Sequence, residues 1–417
     1  MRKKFILLLI LSVSLFLPAT PYGSGQEVKF QEPEQAISLI VKIEEAKKLL
    51  EPVDLAHSDK VTTLRTRYKM VVIKRGRRKK RKTIKSSYKD FEWKESALAV
   101  LYPSGKIAIV KIRREKQNLM SMTGGFLINL EDRPSGIKWN GKNTAFVVKN
   151  SRWETLIVIG IKWLETDSEV VLERKGKKQK RVTRYFTTPT LYVPYSTGLH
   201  QRELIKQGND HYDSRSQTAY DDLDRKGVKS LVLPTKNVTE VIRQNLSIKN
   251  LCLIEHTDPT EYDAFVNGEW KYDPYERVLV RLGVNGDSEF SNTKSHAGAR
   301  GLKQFMYGTW IIVSNAYPLA ELPDYLTGTS NHVTSIQAAV LLYDYNLNEL
   351  KKEFGLSILE DPQLEYYLAA GYNGGIGRVI AGIRKYGHDW TRNLLNETKI
   401  YVEELEYLHQ HPVNPAP

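Results

Sequence analysis

The chain is nearly devoid of cysteine. Cys252 is the only one in 417 residues, so no internal disulfide can form and stability must come from packed cores. It lies in the apolar run Asn250-Leu-Cys-Leu-Ile254, the setting of a buried, inert thiol rather than of a nucleophile. Long apolar runs are also lacking. Residues 5–17 are apolar, but thirteen residues are too few to cross a hydrocarbon core, which takes ~20. They follow Met1-Arg-Lys-Lys4 and precede small residues after Pro18, so residues 1–25 read as a secretory signal. The protein is therefore expected to be exported to the periplasm or cell envelope, with no transmembrane span after signal removal. No Cys follows the apolar run, which excludes a lipid anchor on cysteine. Metal-ligand spacing is absent around His256, His296 and His332, so no metal is expected. The glycine-rich residues 371–377 lack the Lys-Ser/Thr ending of a phosphate loop, and no cofactor is expected.

What is present is basic charge and enough apolar content, 41%, for packed cores. The length argues for two domains and a linker. The net charge of +14 implies an anionic partner. For an exported chain that partner is the cell wall with its acidic stem peptides, anionic lipid headgroups or a surface polyanion. Eight of the nine residues 74–82 are basic, and Arg174-Lys-Gly-Lys-Lys-Gln-Lys-Arg181 is similar. Each run holds a Gly between strand-like flanks and reads as a hairpin tip, suited either to gripping an anionic surface or to blocking edge aggregation. Neither run contains an aromatic, which argues against base stacking and against nucleic acid as a partner.

In chain order, residues 26–50 hold one helix with apolar positions 37, 40, 41, 43, 49 and 50, stopped by Pro52. β-Branched and aromatic runs then occur at 68–73, 97–102, 107–112, 145–148, 156–161 and 170–172, separated by turn chemistry such as Pro103-Ser-Gly-Lys106. Residues 26–195 therefore form a β-rich, basic accessory domain, a small sandwich or barrel. Residues 196–235 are polar and without periodicity, and read as a linker or mobile loop. From 236 to 410 the pattern is helical. The fold class is α+β, with a β-rich N-terminal domain followed by a mostly α-helical one. Within the helical part, Val278-Leu-Val-Arg-Leu-Gly-Val284 reads as a helix whose end carries an acid, and residues 302–306 as the start of another. Gly298 and Gly301 between them mark a sharp turn or a close backbone approach.

Three blocks in this part resemble the soluble lytic transglycosylases, enzymes that cleave peptidoglycan glycan strands on a lysozyme-like fold. The first is Asp287-Ser288, Phe290, Ser295, Gly298-Ala-Arg-Gly-Leu-Lys-Gln304 and Met306. The second is Tyr367-Leu-Ala-Ala-Gly-Tyr-Asn-Gly-Gly375, and the third Leu395-Asn-Glu-Thr-Lys-Ile-Tyr-Val402. The resemblance covers residues 236–410. It implies cleavage of the MurNAc–GlcNAc bond with formation of 1,6-anhydro-MurNAc, with one carboxyl acting first as acid and then as base. It also implies contacts to glycan from Ser295, Gln304, Met306, Tyr372, Asn373 and Glu397. Asp287 stands where the family has Glu, and Lys303 where it usually has Met.

A glycosidase acid must hold its proton near neutral pH, which desolvation at the end of an apolar helix achieves. Three carboxyls compete for the role. Asp287 occupies the family position but is one methylene shorter, and a ~1 Å displacement can cost ~100-fold in rate. Glu255 ends an apolar helix and precedes His256. Glu289 would face away from Asp287 in a continuing helix. The alternative from another class is a catalytically inactive peptidoglycan-binding or scaffold protein that uses its basic hairpins on a polyanionic surface.

Overall fold

The computed structural model describes residues 38–75, 78–115, 121–134, 144–175, 178–242 and 247–413. The secretory signal read at residues 1–25 lies outside them. Helix α1 (Leu39–Leu50) opens the described chain and buries Leu39, Ile43, Ala46 and Leu50. Nine strands follow: β1 (Val61–Arg75), β2 (Arg78–Phe91), β3 (Trp93–Leu101), β4 (Ile107–Glu115), β5 (Ser121–Thr123), β6 (Phe126–Leu130), β7 (Phe146–Lys149), β8 (Thr155–Lys175) and β9 (Lys178–Tyr192). β1 and β2 make a two-stranded ribbon. The others form one antiparallel sheet in the order β4-β3-β8-β7-β6-β5, with β9 also on β8. The sheet curls into a near-barrel.

The period-2 alternation of β3 places buried residues on both faces of this strand. Leu98 and Val100 point inward and meet Val110, Ile128, Phe146, Val148 and Val158 in a small β core. Ala97, Ala99 and Leu101 point outward and belong to a larger core shared with α1 and the helices beyond the sheet. Small residues on the outer face let α1 approach closely: a side chain at Gly160 would sit 3.0 Å from Leu50. One expectation resolves differently from the sequence reading. The runs at 156–161 and 170–172 lie on one continuous strand, β8. Both basic runs do fall at hairpin ends, with Arg75 opposite Arg78 and Lys175 opposite Lys178.

The helical part contains α2 (Arg202–Arg225), α3 (Val238–Val241), α4 (Ile248–Glu255), α5 (Pro259–Val266), α6 (Pro274–Asn285), α7 (Tyr307–Ala316), α8 (Tyr325–Ser330), α9 (His332–Phe354), α10 (Leu364–Gly374), α11 (Ile376–Tyr386) and α12 (Asn396–Gln410). α9 is its axis, buried on nearly every side from Ser335 to Leu350. No helix among the described residues is long and apolar enough to cross a membrane.

The segment 196–235, read as a linker, is corrected by the 24 residues of α2. Its buried positions Leu204, Ile205, Gly208, Tyr212, Ala219, Tyr220 and Leu223 form a helical stripe, diluted by charged residues on the other faces. Residues 38–417 form one compact unit, and the larger core runs from α1 through Val193, Tyr195 and Leu199 into the helices without a break. A second correction concerns residues 302–306, which do not open a helix. Arg300 and Phe305 exchange backbone hydrogen bonds of 3.0 Å, and Gly301 and Gln304 both have positive φ. Gly301 has no substitute here, since a Cβ would lie 1.9 Å from the Thr329 carbonyl oxygen. The helix begins only at Tyr307.

α2 and α6 cross at two glycines. A Cβ on Gly208 would fall 1.9 Å from Leu279 O, and one on Gly283 would fall 2.5 Å from Leu204 O. Gly208→Ala is therefore expected to destabilise the protein by ~3 kcal/mol, the upper range for overpacking. Gly308→Ala, with nothing within 4 Å on exposed α7, should be neutral or stabilising by a few tenths of a kcal/mol to ~1 kcal/mol. Denaturant midpoints of the two variants test the contrast.

Candidate functional site

The apolar helix α4 buries Ile248, Leu251, Cys252, Leu253 and Ile254 and ends at Glu255. Cys252 is fully buried and burial pushes its thiol up to about 11, in line with an inert residue. Glu255 itself is half-buried. Desolvation at the helix end raises its pKa to about 8, against the opposing pull of Tyr401 and the Lys303 cation; Glu397 adds a further upward push. The Tyr401 hydroxyl, on α12, is buried beside the carboxyl. It is close enough to favour the anion, yet the pair does not close a strict hydrogen bond in this conformation. Glu397, in the first turn of α12, is exposed.

Lys303 is the cation of this cluster. It is fully buried, its Nζ donates to the Ile248 carbonyl at the start of α4, and it sits 5.0 Å over the Tyr212 ring. Burial lowers its pKa to about 8, while Cys252 and Glu255 hold it up. The Lys303 carbonyl accepts a hydrogen bond of 2.5 Å from the Tyr372 hydroxyl. Tyr372 is half-buried on α10, and burial together with the nearby Glu255 charge keeps it protonated far above its usual range. Glu255, Lys303, Tyr372, Tyr401 and Glu397 thus gather from four distant segments.

The remaining residues of the motif take supporting places. Asn373 accepts a 2.8 Å hydrogen bond from Thr398 and ties α10 to α12. Ser295 Oγ accepts from the Ala299 amide at 3.0 Å, so it closes the Gly-Ala-x-Gly turn and caps no helix. Gln304 Nε2 donates back to Gly301 O at 2.7 Å. Met306 is exposed at the residue before α7. His256, which follows Glu255, is not a catalytic partner in this arrangement. Its ring stacks on Phe290 at 3.6 Å and its Nε2 donates to Leu302 O at 2.9 Å, while burial holds it neutral. The Phe of the motif therefore props the residue beside Glu255.

The other two carboxyls have different surroundings. Glu289 is 1% exposed and accepts three hydrogen bonds: Arg281 donates at 2.6 Å, Tyr192 at 2.7 Å and Asn285 at 2.8 Å. It joins the end of β9 to α6 and, at 1% exposure, is not presented to solvent. Asp287 lies in the 3-10 turn Gly286–Ser288 after α6, and Arg215 of α2 holds both of its oxygens at 2.8 and 2.6 Å. That bidentate grip engages both carboxylate oxygens with the guanidinium. Its Oδ1 also lies 3.5 Å from His211 Nε2 and 3.6 Å from His332 Nδ1. Burial lowers the pKa of both histidines. No spacing rule could have found this trio, because His211 lies in the segment read as a linker. Glu404 also has its pKa raised to about 8, but it is buried against Tyr275 and is not presented to solvent.

Two stability measurements separate these roles. Glu289→Gln should cost ~3 kcal/mol, the scale for breaking a buried pair, whereas Asp287→Asn removes a surface pair worth at most ~1 kcal/mol. Glu255 binds its proton more tightly folded than unfolded, so stability is full below about 4.5 and is lost as pH rises toward about 8. In Glu255→Gln that loss should disappear, leaving the variant more stable than the parent at pH 8 in denaturant titrations.

No family model matches the chain, and no curated protein or solved structure matches it, so function must be read from the chemistry of the site itself.

Proposed function

We propose that the protein is a peptidoglycan lytic transglycosylase with Glu255 as its acid and base. The observation that carries this reading is the half-buried Glu255 carboxyl, protonated up to about pH 8, at a place where Tyr372, Tyr401 and Glu397 from the second and third sequence blocks converge. Glu255 protonates the glycosidic oxygen between MurNAc and GlcNAc, and the C1–O bond breaks as positive charge grows at C1. The resulting carboxylate then takes the proton of the MurNAc C6 hydroxyl, and O6 closes on C1 to give the 1,6-anhydro sugar. Each turn restores the protonated acid. A single carboxyl suffices when the same sugar supplies the nucleophile.

Lys303 and Tyr401 act on the second half of this cycle. A buried cation and a phenol beside the carboxyl stabilise the anion that forms after the proton has left. The exposed Glu397 and Met306 and the half-buried Asn373 would contact an extended glycan. The basic hairpin ends match the anionic stem peptides of the wall in charge. Asp287 supports the turn carrying Phe290, which in turn supports His256.

Digestion of purified sacculi followed by mass spectrometry tests the reading. The parent should release anhydro-muropeptides, Glu255→Gln should lose activity by ~100-fold or more, and Asp287→Asn should stay within a few-fold of the parent. Activity should fall as pH rises through about 8. Lys303→Met removes a charge that lowers the Glu255 pKa, so its alkaline limb should move to higher pH. Absence of product from the parent would favour the binding-module alternative, and reducing ends in place of anhydro ends would identify a plain hydrolase.

A further inference from the structure

We propose that His211 Nε2, His332 Nδ1 and Asp287 Oδ1 form a binding site for a zinc-class divalent cation, separate from the Glu255 cluster, with a fourth coordination position open to solvent. The three donor atoms come from α2, from the first residue of α9 and from the turn after α6. They lie 3.2, 3.5 and 3.6 Å apart, and all candidate ligand atoms of the trio fall within 4.8 Å of one another. A tetrahedral cation with bonds of ~2.0–2.1 Å separates its ligands by ~3.3–3.4 Å, so the triangle is already close to the size that such a cation requires.

The surrounding contacts orient the donors. His332 is 2% exposed, and its Nε2 lies 2.7 Å from the Glu289 carbonyl oxygen, which can only accept. Nε2 therefore carries the proton, and the Nδ1 lone pair points at the cluster. A metal-bound imidazole whose far nitrogen donates to a carbonyl has this arrangement. Arg215 Nη2 holds Asp287 Oδ2 at 2.6 Å and turns Oδ1 toward the two rings. Its Nε at 2.8 Å takes one lone pair of Oδ1 and leaves the second for a cation. Without a metal, His211 Nε2–H donates to His332 Nδ1 at 3.2 Å; cation binding takes the other neutral tautomer of His211, with its proton on Nδ1, and leaves both facing nitrogens as ligands with no net loss of a proton.

Two imidazoles and one carboxylate suit zinc, cobalt or nickel far better than calcium or magnesium, which prefer all-oxygen shells. Three protein ligands leave one tetrahedral corner, and Asp287 is 57% exposed, so water reaches it. An open cleft of about 260 Å³, lined by Glu44, Lys47, Gln207, His211 and Gly286, provides a way in. The cation would fasten α2, α6 and α9 together at one point.

The test uses the full chain stripped with chelator and titrated with Co2+ and Zn2+. The expected result is one equivalent of Co2+ with the intense visible bands of tetrahedral coordination, displaced by Zn2+, and a rise in the thermal midpoint with Zn2+. His211→Gln and Asp287→Asn should each weaken binding at least tenfold and abolish the thermal shift, whereas Glu255→Gln should leave both unchanged. Failure of the parent to bind Co2+ or Zn2+, or binding that survives both substitutions, would overturn the proposal. The muropeptide assay is a separate readout, so either result leaves the Glu255 reading to stand or fall by itself.

Discussion

The close crossing of α2 and α6 is the contact on which the other features depend. Two glycines, one on each helix, bring the backbones so near that a single methyl on Gly208 would collide with a carbonyl. Along α2 this crossing sets His211 and Arg215 against the turn that follows α6. One residue beyond His211, the Tyr212 ring is presented to Lys303, and its hydroxyl bonds Ile248 O at 3.2 Å. The same few residues of α2 therefore serve both the histidine–aspartate trio and the surroundings of Lys303 beside Glu255. A packing constraint with no chemistry of its own places the groups that have chemistry.

A second consequence is that the sheet and the helices are one body. Asn285, the last residue of α6, accepts from the Val193 amide at 2.8 Å and donates to the Val193 carbonyl at 3.0 Å. Its side chain acts as a short stand-in for a neighbouring strand. Glu289, Arg281 and Tyr192 close the same junction with a buried charge pair and a phenol. Charges sealed this way are costly to break singly, so the junction is expected to be rigid. The β part and the helical part share structure here, at the turn that carries the first sequence block.

Much of this was legible in the sequence. The α+β class followed from β-branched runs giving way to helical periodicity, and the hairpin ends from Gly within basic stretches. Glu255 was visible as an acid ending an apolar helix, although the motif pointed to Asp287. A linear pattern fixes order along the chain, while the surroundings of each carboxyl depend on neighbours brought in by the fold. Asp287 meets a guanidinium contributed from 72 residues away. α2 escaped notice because its apolar stripe contains Gly208 and Asn209 and the rest of its surface is charged, so it read as polar without periodicity. The histidine–aspartate trio went with it. The failed helix start at 302–306 has a local cause, since the positive φ of Gly301 and Gln304 cannot be read from apolar spacing.

The proposed chemistry depends on the protonation of one side chain. Burial at the end of α4 must outweigh both Lys303 and Tyr401 for Glu255 to act as an acid. The most direct measurement is the titration of the Glu255 carboxyl carbon by NMR, assigned by comparison with Glu255→Gln. A midpoint near 8 is the value expected. A midpoint in the ordinary glutamate range near ~4.3 would mean that this carboxyl is ionised at neutral pH, and would contradict the assignment of Glu255 as the proton donor.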